Sequence, residues 1–93
     1  MLCGLKRYEE ALAHFEQALR LDPNFAVAHN NKGIALHHLQ RYPEALVACD
    51  QAIRLNPNDA DFYQDKGVTL DKLGRKREAQ QAYEKAKQLG YTD

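Results

Sequence analysis

Identical residues return along this chain at one fixed interval. Pro23 and Pro57 lie 34 positions apart (57 − 23), and the same step carries Ala11 to Ala45 to Ala79, Ala18 to Ala52 to Ala86, and Glu10 to Glu44 to Glu78. Arg7, Arg41 and Arg75 follow it too, as do Leu5, Leu39 and Leu73, and Gly33 and Gly67. A period of this size means one supersecondary unit stacked on copies of itself, because a single unit cannot bury its own apolar face.

Inside each unit the spacing is helical. Tyr8, Ala11, Leu12, Phe15, Ala18 and Leu19 make one apolar stripe, and Tyr42, Ala45, Leu46, Cys49, Ala52 and Ile53 repeat it a unit later, as one face of an amphipathic helix requires. Ala28, Ala35, Leu36 and Leu39 form a second stripe between them. Asp22-Pro23-Asn24 and Asn56-Pro57-Asn58-Asp59 break the pattern: proline stops the helix before it, and Asn or Asp can cap the next. Pro43 falls in a first turn, where its missing N–H costs nothing. The expectation is an all-α chain of five helices, at about 8–21, 26–39, 42–55, 60–73 and 76–89, with Met1–Leu5 left as the stump of another. Ala11, Ala18, Gly33, Ala45, Ala52 and Gly67 recur where paired helices need close approach.

Composition narrows the function. Thirteen basic residues balance thirteen acidic ones among 93, whereas nucleic-acid binding draws its affinity from an excess of Lys and Arg against phosphates. The Arg75-Lys76-Arg77 run is the one basic cluster and reads as a solvated helix start. No apolar run is long enough to span a bilayer, and Met1–Arg7 lacks the apolar core of a signal peptide. Cys3 and Cys49 do not make a disulfide framework and read as reduced thiols, which implies the cytoplasm. His37 and His38 are adjacent on a helix, about 100° apart, and His29 is too distant to complete a chelate, so no metal is expected. His14 reads as exposed. Cys49 occupies a core slot, where a thiol is inert, and the isolated glycines form no phosphate loop. The reading is no enzyme, no cofactor and no membrane.

These repeats resemble the tetratricopeptide repeat family, stacked antiparallel pairs of an inner helix A and an outer helix B. The residues that carry the resemblance are Gly33, Ala45, Ala52 and Pro57 in the middle unit, Gly67, Ala79, Tyr83 and Ala86 in the last, and Tyr8, Ala11, Phe15, Ala18 and Pro23 in the first. It implies an α-α superhelix of about two and a half repeats: residues 1–25 a partial repeat that is mainly helix B, 26–59 a full repeat, and 60–93 a full repeat with a capping helix. Departures are Lys32 and Lys66 where the family usually has Leu, His29 and Tyr63 where it often has Trp, and Cys49 in place of a large aromatic.

The resemblance also implies a function, a protein-interaction module that holds a peptide or partner domain in the concave groove lined by the A helices. The groove residues so implied are Val27, Asn30, Asn31, Ile34, His37 and His38 from one A helix, and Asp61, Gln64, Asp65, Val68, Asp71 and Lys72 from the next. One subset of the family clamps the C-terminal carboxylate of heat-shock chaperones with Lys, Arg and Asn. Asn31 fits that pattern, but Asp61 and Asp65 stand where the clamp needs cations, so a basic or amphipathic partner is expected instead. Lys76, Gln80 and Lys87 give the last helix a polar outer face, which reads as a true end with Gly90 as helix stop. The first helix has no such face. Tyr8, Leu12 and Phe15 are expected to lack a covering helix, so the chain is expected to be a fragment of a longer array or to self-associate there; a separate alternative is a scaffold segment of a longer protein whose catalytic domain lies elsewhere.

Overall fold

The computed structural model describes residues 2–91, apart from the side chains of Leu2 and Cys3; the readings of Met1 and of the Cys3 thiol fall outside it. Five α-helices make up the described residues: α1 (Leu2–Leu21), α2 (Ala26–His38), α3 (Tyr42–Leu55), α4 (Ala60–Lys72) and α5 (Lys76–Gln88). Helices α2 and α3 form one antiparallel hairpin and α4 and α5 the next, while α1 packs on α2 and α3 on α4.

The hairpin turns follow from backbone chemistry. After α2, Gln40 takes a left-handed φ of 62°, its N–H donates to the His37 carbonyl at 2.9 Å, and the Arg41 N–H donates to Leu36 at 2.8 Å. This pair of bonds is a Schellman closure. Gly74 (φ 78°) with Arg75, and Gly90 (φ 105°) with Tyr91, repeat it after α4 and α5. The expected stop at Gly90 is therefore present.

Between the hairpins the prolines work through Asx turns. Asp22 accepts the Asn24 N–H at 3.2 Å and Asn56 accepts that of Asn58 at 3.3 Å. Among the described residues only α4 gains a side-chain cap, from Asp59 to the Asp61 N–H at 2.9 Å; α2 starts at Phe25 without one.

The first helix differs from expectation. Leu2–Leu5 is no remnant of a helix A but the first turn of α1, which runs unbroken to Leu21. The position that is Gln40 or Gly74 in the later turns is Lys6 here. Lys6 keeps a helical backbone where Gln40 and Gly74 turn left-handed, and α1 runs on through it.

One junction recurs twice. Leu12 inserts among Ala35, Leu36, Ala45 and Ala48, and one period later Leu46 packs against Leu70, Ala79 and Ala82. A B-helix leucine thus pegs the next hairpin. Leu12 is only 7% exposed, which corrects the expectation that it would lie open: it packs on α2 and α3. Tyr8 and Phe15 are half-buried, and Leu5 is 48% exposed. In α5 the peg position is Gln80, which faces solvent.

Small residues set the helix spacing. A Cβ built on Gly33 would stand 3.0 Å from Cys49 Sγ and 3.2 Å from the Ala45 carbonyl, and one on Gly67 would meet the Tyr83 ring at 2.6 Å. Ala45, Ala52 and Ala86 are fully enclosed. Packing this close leaves no room for a methyl group on Gly67, and one on Gly33 would fit only if its neighbours shifted by a few tenths of an ångström.

Candidate peptide groove between α2 and α4

Helices α2 and α4 lie side by side but barely touch, and two hollows separate them. The first, about 320 Å³, is lined by Val27, Asn31, Ile34, Asp61, Gln64 and Asp65, with Asn30, Asp59, Phe62 and Tyr91 completing it. The second, about 250 Å³, lies nearer the C-terminal ends of the two helices, between Ile34, His37 and His38 on one side and Asp65, Val68 and Thr69 on the other, with Gly33 and Cys49 from the α2–α3 hairpin. Ile34 and Asp65 line both, so the hollows form one groove.

Asp65 dominates the electrostatics. Burial raises its pKa above the usual carboxylate value; the hydrogen bond from Asn30 opposes the shift, and the charges of Asp61 and Asp59 add to it. With Asp59 and Asp61 it makes three carboxylates along the first turns of α4, and burial makes Asp65 costly to ionise.

Asn30 is placed differently from the other groove residues. It is 6% exposed, its amide donates to Asp65 Oδ2 at 2.9 Å, and its Oδ1 faces the Cys49 thiol at 3.9 Å. Its amide is spent inside the protein, holding Asp65 in position. Asn31 and Gln64, half-buried on the same walls, carry no such bond to the described residues, and their amides can both donate and accept.

The histidines pack on aromatic rings. His38 stacks on Tyr8 with centroids 4.3 Å apart and planes 13° apart, and His37 meets Tyr42 edge-on at 5.2 Å. Burial lowers the His37 pKa, with the charges of His38 and Lys72 adding to the effect, and its Nδ1 is buried without a partner. Below them, burial pushes the Cys49 thiol to about 12, with Asp65 and Asp50 contributing.

Asp71 and Lys72 line neither hollow. Asp71 accepts from Tyr83 Oη at 2.9 Å and from Lys76 Nζ at 3.1 Å, and these bonds, Lys76 first, hold its pKa low. It serves the α4–α5 hairpin. Conversely, Asp59, Phe62 and Tyr91, and Gly33, Cys49 and Thr69 in the second hollow, line the groove without having been singled out for it. Cys49 was visible as a missing aromatic; Tyr91 left no signal in the periodicity.

No helix among the described residues is long and apolar enough to cross a membrane. A tetratricopeptide repeat family model matches residues 4–60, and a second matches residues 48–81. No curated protein matches the chain. Among solved structures, the second tetratricopeptide domain of Spaghetti (RPAP3), bound to the HSP90 peptide SRMEEVD, superposes with a TM-score of 0.85 at 29% identity, over 88% of this chain and 76% of that one. The first such domain of the same protein, with the same peptide, gives 0.91 at 25% identity over 95% and 70%. MamA from AMB-1 shares the fold, with a TM-score of 0.84 at 24% identity, and this chain spans 51% of its length. With a family model covering more than half of its residues, and with Gly33, Ala45, Ala52, Gly67, Ala79 and Ala86 at the helix contacts, the chain belongs to the tetratricopeptide repeat family.

Proposed function

We propose that the chain is a non-catalytic protein-interaction module whose α2–α4 groove receives a basic or amphipathic segment of a partner protein. The observation that carries this reading is Asp65, a carboxylate kept half-buried next to Asp61 and Asp59 against its own solvation. Charges held at such a cost in a concave site favour a cationic guest, whose arrival lowers the penalty. Val27 and Ile34 supply apolar contact, and Asn31 and Gln64 supply amides for the guest's backbone.

The Spaghetti domains hold an acidic peptide. In this groove Asp61 and Asp65 would repel such a peptide, so the shared fold serves a different ligand charge. A reducing compartment such as the cytoplasm suits the enclosed Cys49 thiol.

Fluorescence anisotropy with a library of labelled peptides tests the reading. Basic amphipathic peptides should bind, SRMEEVD should not, and Asp61→Asn/Asp65→Asn should weaken binding by at least tenfold at low salt. Equal affinity of the wild type for basic and acidic peptides refutes it.

A second reading, self-association through α1, is favoured by one observation: Leu5 is 48% exposed, one turn from the half-buried Tyr8. Light scattering decides it, since a dimer that dissociates on Leu5→Lys supports the contact and a monomer at millimolar protein removes it.

A further inference from the structure

The last repeat shows what the middle one lacks. Tyr83 lays its ring over Gly67, close enough that a Cβ there would fall within 2.6–3.1 Å of three ring atoms, and its hydroxyl donates to Asp71 at 2.9 Å. One period earlier the same three positions are Cys49, Gly33 and His37. The ring is gone. In its place is the second hollow, about 250 Å³, to which Gly33, Cys49 and His37 all contribute. At the position that receives a hydroxyl in the last repeat stands His37, which lines this hollow. A dry void of about 150 Å³ suffices to take up a benzene molecule, so this one has room for a phenol.

We propose that this hollow is a side-chain pocket for a tyrosine of the partner, which enters from the groove, occupies the volume that a ring at position 49 would fill, and hydrogen-bonds His37. The pocket rests on the groove reading above and names its anchor residue. Ile34 and Val68 flank the ring, Gly33 and Cys49 contact it, and Asp65 stands at the junction with the acidic hollow. A lysine or arginine next to the tyrosine would therefore meet Asp65 and Asp61. Aromatic anchors in enclosed pockets commonly dominate such interfaces, and a neutral imidazole nitrogen can accept from a phenol or donate to it.

The test uses the full chain and p-cresol, the tyrosine side chain alone, followed by ¹⁵N–¹H NMR with toluene and cyclohexanol in parallel. A fragment of this size should saturate in the millimolar range, shifting the amides of Gly33, His37 and Thr69, with p-cresol ahead of toluene and cyclohexanol weakest. Cys49→Tyr, which supplies the ring from within, should abolish those shifts while keeping or raising the melting temperature. If Cys49→Tyr proves unfolded by circular dichroism, Val68→Phe plugs the hollow from its half-buried wall and should do the same. His37→Leu should erase the preference of p-cresol over toluene. Absence of saturable shifts, or undiminished shifts in a folded plugged variant, overturns the pocket; equal affinity for toluene and p-cresol overturns the hydrogen bond to His37. Binding of basic peptides that survives Cys49→Tyr but not Asp61→Asn/Asp65→Asn would sink the pocket and leave the groove standing, so the two failures are distinguishable.

Discussion

Lys66 on α4 reaches back across the repeat boundary to Asp50 on α3, Nζ to Oδ1 at 2.9 Å, and one period earlier Lys32 faces Glu16 at 3.8 Å. Each lysine stands where relatives usually bury a leucine, so each repeat boundary carries an ion pair on its rim beside the leucine peg. The side chains stay 31% and 49% exposed in both pairs, and water at that level of access screens most of the attraction. A double-mutant cycle of Lys66→Met and Asp50→Asn, read by urea denaturation, should give a coupling of at most about 1 kcal/mol that shrinks at high salt. A coupling above about 2 kcal/mol would mean the pair is far better shielded than its exposure indicates.

Gln40 carries the one positive φ outside glycine among the described residues, in a turn whose counterpart is Gly74. The left-handed conformation costs an L-residue roughly 1–2 kcal/mol, and glycine occupies it freely while losing somewhat more entropy on folding. Gln40→Gly should therefore raise stability by about 0.5–1 kcal/mol, an increase of a few degrees in melting temperature. Gly74→Ala should lower it by a similar amount. Calorimetry on both variants checks the pair, and a loss with Gln40→Gly would show that the glutamine side chain contributes more than its backbone strain removes.

Asp65 supplies a prediction with a definite sign. Its folded pKa lies above the ordinary carboxylate value because of burial and of Asp61 and Asp59. A raised acid favours the fold while protonated, so its stabilising contribution is present below the unfolded pKa of about 4 and is lost as pH rises through the folded value. At neutral pH the ionised group strains the fold. Asp65→Asn keeps an oxygen for the Asn30 amide and should melt higher than the wild type at pH 7, with the advantage shrinking towards pH 4. A variant that melts lower at pH 7 would mean the carboxylate is stabilised where it sits.

Gly67→Ala should cost about 1–3 kcal/mol despite the better helix propensity of alanine. The new methyl would strike the Tyr83 ring at 2.6 Å, and the ring is pinned by its bond to Asp71. In a Tyr83→Ala background the same substitution should become nearly neutral or stabilising. Additive costs in the double variant would place the clash elsewhere.

Much of this architecture could be read from the amino acids because the signals were local. Proline with Asn or Asp marked the breaks at Asp22–Asn24 and Asn56–Asp59, and period-related small residues marked the helix contacts at Gly33, Ala45 and Gly67. Where the reading missed, the deciding partner was remote. Leu12 sits on a B helix that also faces the next repeat, and α2 covers it. Residues 2–5 read as the end of another helix because their repeat partners end one, yet Lys6 stays helical where Gln40 and Gly74 turn. In the groove, Asn30 shares a helix face with Asn31, but the small Cys49 lets its amide sink inwards to Asp65. Tyr91 joins the wall only through the turn that follows α5.

The leucine pegs have a mechanical consequence. Leu12 and Leu46 each clasp only the hairpin directly ahead, so strain at one seam has no apolar lever with which to reach the seam beyond it. The molecule should yield like a hinged ruler, segment by segment, and the width between α2 and α4 becomes a soft coordinate governed at the joint of α3 against α4 and by the Asn30–Asp65 bond across the gap. A guest that wedges itself there would stiffen the whole rod by locking that one joint.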